Sequence, residues 1–239
     1  ADGHLPGAHY LHLDRDLCAP KTGRNGRHPL PPRGACAATA GALGIGPATP
    51  VVVMDAQQGT YAARAWWMLR WLGHRAVALL DGGVQAWQAA GGALVREVPA
   101  RPGGAPYPLA TPTVEPVDAA ALLDRLGRVR LIDARAPERY RGEVEPLDAR
   151  AGHIPGAVNR FFRDNLAADG RFLPPAALRE AVARLGVAPG AEVVHQCGSG
   201  VTACHNALAM ELAGLGTGAL YPGSWSEWSS DPARPVATG

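Results

Sequence analysis

Short apolar runs alternate along this chain with stretches whose apolar positions recur every three to four residues. The runs at 51–54, 76–80, 129–132, 192–196 and 218–221 are rich in Val, Leu and Ala and end at Gly or polar residues. They are too short for helices and predict strands. The helical period predicts helices at 61–72, 84–90, 117–126, 176–185 and 201–214. Short apolar strands alternating with helices predict an α/β fold of mainly parallel sheets covered on both faces. Between Val98 and Glu115 stand Pro99, Pro102, Pro106, Pro108 and Pro112, with Gly103-Gly104. That composition predicts an extended interdomain segment. Pro and Gly also cluster between 20 and 34, where a long surface loop is expected.

The pattern repeats. Gly3-His4-Leu5-Pro6-Gly7-Ala8 matches Gly152-His153-Ile154-Pro155-Gly156-Ala157. Val51-Val52-Val53-Met54-Asp55 corresponds to Val193-Val194-His195-Gln196-Cys197, and Asp81-Gly82-Gly83 with Trp87 corresponds to Pro222-Gly223-Ser224 with Trp228. Three matches in the same order at nearly constant offset predict two duplicated domains. The expected boundaries are 1–98 for the first domain, 99–112 for the linker and 113–239 for the second. The second half carries a predicted helix and strand before Gly152 that have no counterpart before Gly3. The first domain is therefore expected to be incomplete at its N-terminus.

Composition narrows the function. The net charge is +2, from 23 Lys and Arg against 21 Asp and Glu, and there is no polybasic block. A broad electrostatic surface for nucleic acid is not expected. No run of 18 apolar residues predicts a membrane span. Cys18, Cys36, Cys197 and Cys204 form no Cys-x-x-Cys pair and no zinc-type spacing with histidine. They are too sparse for a disulfide framework, so a reducing compartment, the cytoplasm, is expected, with no metal.

The chemistry concentrates in Cys197-Gly198-Ser199-Gly200-Val201-Thr202-Ala203. A strand delivers Cys197 to its carboxyl end, two glycines permit a tight turn, and a helix follows. Consecutive N–H groups in such a turn, with the helix N-terminus behind them, favour an anion and hence thiolate over thiol. Phosphatase chemistry of the Cys-x5-Arg type is excluded, because Ala203 stands where the arginine must be.

This loop resembles the active-site loop of rhodanese-family sulfurtransferases, specifically the 3-mercaptopyruvate type. The Gly-His-Ile-Pro-Gly-Ala segment at 152–157, Asp133-Ala134-Arg135, Asp81-Gly82-Gly83 and Gly223-Ser224-Trp225-Ser226-Glu227-Trp228 are similar to that family's motifs. The resemblance implies two rhodanese-like domains, only the second of them catalytic, because Asp55 occupies the first domain's cysteine position. It implies that Cys197 carries sulfane sulfur as a persulfide, with no cofactor. The donor would be 3-mercaptopyruvate, or alternatively thiosulfate, and the acceptor a thiol, thioredoxin or cyanide. Thiosulfate enzymes of the family tend to place Arg and Lys directly after the cysteine, so Gly198 and Ser199 tilt the donor toward mercaptopyruvate. A non-catalytic rhodanese-like module is disfavoured by the presence of Cys197.

By the same resemblance, Ser199 would handle protons with His4 and an aspartate, and Arg139 would grip the donor carboxylate. Gly198, Gly200, Val201, Thr202 and Tyr61 would line the donor site. The family's second substrate arginine falls where this chain has Asp148, leaving Arg150 as a displaced candidate. Asp133, Arg135 and His153 are expected to fix turns, and His195 and Cys204 to be packed. The six tryptophans are expected to be core or interface anchors, with Trp225 a candidate to line the site.

Overall fold

The computed structural model describes residues 3–188 and 190–239. The chain forms two compact units. One comprises the residues up to Ala19, Pro31–Thr113 and Ala168–Arg171. The other comprises Pro20–Leu30, Val114–Ala167 and Phe172–Gly239.

The first unit contains α1 (Leu13–Asp16), α2 (Arg33–Ala42), β1 (Val51–Val53), α3 (Ala62–Trp71), β2 (Val77–Leu79) and α4 (Gly83–Ala89). β1 and β2 pair in parallel, Val51 with Val77 and Val53 with Leu79. α3 is the central helix, with Trp66, Trp67, Met68 and Leu69 all buried and Trp67 packed on Trp71 one turn later. The proline-rich segment is extended and fastened along this unit: Tyr107 N–H donates to Ala37 O, Ala110 N–H to Leu72 O and Thr113 N–H to Arg70 O. Tyr107 itself is buried.

The second unit contains β3 (Glu115–Pro116), α5 (Ala119–Asp124), β4 (Arg130–Asp133), α6 (Pro137–Arg141), β5 (Val158–Asn159), a 3-10 turn (Phe162–Asn165), α7 (Pro175–Arg184), β6 (Val193–Gln196), α8 (Ala203–Leu212), β7 (Ala219–Leu220) and α9 (Ser224–Trp228). Its strands run in the order β3-β7-β6-β4-β5, and every pairing is parallel. The central strand β6 is buried along its whole length. Its register sets Leu131 beside Val194, and these pack with Leu122, Ile154, Tyr221, Trp225 and Trp228. The opposite face carries Ile132, Val193, Val182 and Met210. The period of two thus divides one strand pair between two cores. α5 starts at Asp118, whose carboxylate accepts from Ala121 N–H at 2.8 Å.

Every expected strand and helix is present, with ends that differ by one or two residues. α1, α2, β3, α6, β5, the 3-10 turn and α9 were not anticipated. Most are too short to show a period. α2, Arg-Gly-Ala-Cys-Ala-Ala-Thr-Ala-Gly-Ala, is ten residues long but too uniformly small to show a polar face. No helix among the described residues is long and apolar enough to cross a membrane.

His195 lies fully buried in β6, and burial pushes its imidazole down to about 4, with the Thr217 backbone carbonyl opposing. Its folded value lies below its unfolded value of about 6.5, so the unfolded chain binds the proton more readily. The stabilisation is complete above about pH 6.5 and is lost as pH falls toward 4, by about 3 kcal/mol at pH 4. Urea unfolding of His195→Leu is expected to show a shallower loss of stability between pH 7 and pH 4 than the unsubstituted chain. Parallel curves would contradict this account.

Candidate active site

β6 ends at Gln196 and delivers Cys197 into a turn held from several sides. Cys197 N–H donates to Ser224 Oγ at 3.0 Å, and Ser224 Oγ–H donates to Tyr221 O at 2.9 Å. Trp225 N–H and Ser226 N–H, at the start of α9, donate to the carbonyls of Cys197 and Gly198 at 3.0 and 2.9 Å. Ser224 holds a positive φ of 53°, a strained conformation for a non-glycine residue that lets one residue serve both partners. Gly200 is required by space as well as by conformation. Its φ is +75°, and a Cβ there would stand 2.2 Å from Pro222 O.

The sulfur of Cys197 receives N–H groups from Ser199 at 3.5 Å and Gly200 at 3.1 Å. Cys197 is buried, 2% exposed. The matching loop of the first unit shows what such a turn holds. There the Asp55 carboxylate accepts from the main-chain N–H groups of Gln57, Gly59, Tyr61 and Ala62, all at 2.8–2.9 Å. An acceptor of the protein's own thus fills the first unit's anion nest, whereas the second unit presents a nucleophilic sulfur to its own. Tyr61 joins its loop through its backbone, and its side chain is exposed.

Ser199 shares a 2.7 Å hydrogen bond between its hydroxyl and His28 Nδ1. His28 lies in the irregular 20–30 segment and was not singled out in the sequence. The expected partner, His4, is instead engaged within the first unit. His4 N–H donates to Val95 O, Val95 N–H returns to His4 O, and its Nδ1 bonds Leu5 O. His153 makes the equivalent pairing with Ala237, and its Nδ1 bonds Tyr140 O. The two repeat histidines thus hold equivalent turns through Nδ1, and the hydrogen-bond partner of the Ser199 hydroxyl is His28.

A chain of alternating charges runs beside the loop. Arg135 chelates the Asp133 carboxylate through Nε at 3.0 Å and Nη2 at 2.7 Å, and reaches Glu145 at 3.4 Å. Arg139 Nη2 bonds Glu145 at 2.5 Å and Asp148 at 3.2 Å. Asp148 closes the chain on Arg27. Burial holds the Asp148 carboxyl above its ordinary value, with Arg27 opposing. Arg139 Nη1 would lie 3.3 Å from a Cβ built on Gly198, so this guanidinium stands beside the cysteine loop.

The Arg150 guanidinium uses four of its five N–H donors on the carbonyls of Trp228, Ser229, Asp231 and Arg234. It braces the segment after α9. Trp225 is fully buried beneath Arg135, with its Nε1–H on Arg150 O, and so belongs to the core. Val201 is buried, and Thr202 stands at the N-terminal end of α8 without a side-chain capping bond. Cys204 is buried, as expected.

The sequence profile of the rhodanese-like domain family matches residues 1–90 and 116–231. The chain belongs to the rhodanese family. It is 52% identical, over all of its own length and 85% of the relative's, to a protein of Pseudomonas aeruginosa named "Probable 3-mercaptopyruvate sulfurtransferase". A thiosulfate sulfurtransferase of the same organism is 35% identical, covering 99% of this chain and 86% of the relative. Among solved structures, the 3-mercaptopyruvate sulfurtransferase of Leishmania major superposes with a TM-score of 0.83 at 32% identity, over 96% of this chain and 64% of that one. The chain is a sulfurtransferase, built as two rhodanese-like α/β domains.

Proposed function

We propose that this rhodanese-family chain moves sulfur from 3-mercaptopyruvate through a persulfide on Cys197 to a thiol acceptor. The observation that carries the reading is the Cys197 sulfur facing the Ser199 and Gly200 N–H groups in a loop with no cation directly after it. The repeat argues for one catalytic centre, because Asp55 cannot carry sulfur and already fills its own nest.

In the first half-reaction the Cys197 thiolate attacks the donor sulfur. The new S–S bond forms as the donor C–S bond breaks, and the bonding pair leaves with pyruvate as its enolate. The enolate carbon then takes the proton that the donor thiol gives up, so pyruvate and a deprotonated persulfide result. The Ser199 hydroxyl, joined to His28, is the group positioned to relay that proton. The loop N–H groups hold the charge on the outer sulfur. In the second half-reaction an acceptor thiolate, thioredoxin or cyanide attacks the outer sulfur and returns the Cys197 thiolate. Two half-reactions through a covalent intermediate give ping-pong kinetics. Cys18, Cys36, Cys197 and Cys204 form no disulfide, which fits a reducing compartment such as the cytoplasm.

Thiosulfate is the competing donor. The higher identity to the mercaptopyruvate relative than to the thiosulfate relative of the same organism, 52% against 35%, favours mercaptopyruvate. We expect kcat/KM for 3-mercaptopyruvate to exceed that for thiosulfate by at least about tenfold, the discrimination that one or two polar contacts supply. A ratio below one would overturn the donor assignment.

A further inference from the structure

The geometry points to Arg27 as the second guanidinium of a donor-carboxylate clamp, paired with Arg139 and held in place by Asp148. This rests on the 3-mercaptopyruvate reading and deepens it.

Arg27 and Arg139 come from distant parts of the chain and converge on Gly198. A Cβ built on that glycine would stand 2.9 Å from Arg27 Nη2 and 3.3 Å from Arg139 Nη1. Their other nitrogens are held from behind. Arg27 Nη1 pairs with Asp148 Oδ1, and Arg139 Nη2 pairs with Asp148 Oδ2 and Glu145. The nitrogens that face Gly198 make no hydrogen bond among the described residues. Two cations are thus fixed by carboxylates on one side and keep free donors on the side of the nucleophile's loop. That is the arrangement a planar anion needs.

The segment carrying Arg27 is anchored. Arg27 N–H donates to Ser226 Oγ at 3.0 Å. Gly26 has φ +82°, and a Cβ on it would lie 2.8 Å from Gly223 O. The Asp148 side chain is only 4% exposed, while that of Arg27 is 27% exposed. Asp148 is therefore the buried holder and Arg27 the half-exposed arm. The chain has a carboxylate at 148, nine positions after Arg139, and takes its second guanidinium from the 20–30 segment instead.

The test compares 3-mercaptopyruvate with mercaptoacetone, which keeps the ketone and the thiol but lacks the carboxylate. Arg27→Met is expected to raise KM for 3-mercaptopyruvate about 10–100-fold, the range for a lost charged hydrogen bond, and to raise the inhibition constant of pyruvate by a similar factor. The change with mercaptoacetone is expected to stay under about threefold, because uniform binding to the carboxylate is what has been removed. The exchange Arg27→Asp with Asp148→Arg is expected to recover at least about tenfold of the loss seen in Arg27→Asp alone. Equal weakening of both donors, or an unchanged pyruvate constant, would show a merely structural Arg27 and overturn the assignment. Absence of 3-mercaptopyruvate turnover by the unsubstituted chain would overturn the donor reading itself, and the clamp with it. Normal turnover with an unaltered Arg27→Met variant would remove the clamp alone.

Discussion

Cys197→Ser is expected to lower sulfur transfer by about 10³-fold or more, because an alkoxide precursor cannot accept and hand on a sulfane sulfur. The substitution changes one atom in a site that is 2% exposed, so the fold should be undisturbed. The Cys197 N–H bond to Ser224 and the carbonyl bond from Trp225 belong to the backbone and survive it. Intact mass after donor treatment should show one added sulfur on the unsubstituted chain and none on the variant, with the same thermal midpoint. Cys36 and Cys204 offer no substitute: the Cys36 thiol donates to Pro31 O and is pushed up to about 11 by burial, and the Cys204 thiol donates to Gly200 O. Turnover that persists in Cys197→Ser would place the chemistry elsewhere and sink the persulfide mechanism.

Arg135→Met is expected to cost about 3–5 kcal/mol of stability, because it leaves the Asp133 carboxylate buried without its cation. Both side chains are sealed from solvent, at 1% and 0% exposure, so solvent screening gives little relief. Arg135 also donates to Gly152 O at 2.8 Å and covers the Trp225 ring at 4.8 Å. It ties the end of β4 to the repeat turn and to the helix that pins the cysteine loop. Urea unfolding at pH 7.5 measures the loss. The double variant Asp133→Asn with Arg135→Met should regain part of it, since the stranded charge is then gone. A loss below about 1 kcal/mol for Arg135→Met would mean that water reaches Asp133, contrary to its burial.

The nucleophile was legible in the sequence because its whole apparatus is local. A buried strand, a Gly-x-Gly turn and a helix start lie within a dozen residues, and backbone geometry carries the rest. The first domain's lack of a cysteine at the aligned position was legible for the same reason, since Asp55 stands there. The hydrogen-bond partner of Ser199 was not. The family resemblance directed attention to His4, whereas the bond to Ser199 is made with His28, 171 positions away in a segment with no period. Arg27 was hidden in the same way. The one available signal was Asp148, an acidic residue where a substrate cation was expected, which called for a guanidinium from another segment.

The sequence by itself determined the two-domain α/β architecture, the strand and helix pattern, the cysteine loop and the Asp55 loop aligned with it. Each of these follows from residue periodicity or from contacts within one turn of chain. Only the tertiary structure decided that residues 20–30 fold with the second unit, that His28 bonds the Ser199 hydroxyl, and that Arg150 bonds the carbonyls after α9. Irregular segments are placed by the partners they meet, through single hydrogen bonds and charge pairs across long sequence separations, and such partnerships leave no period in the chain.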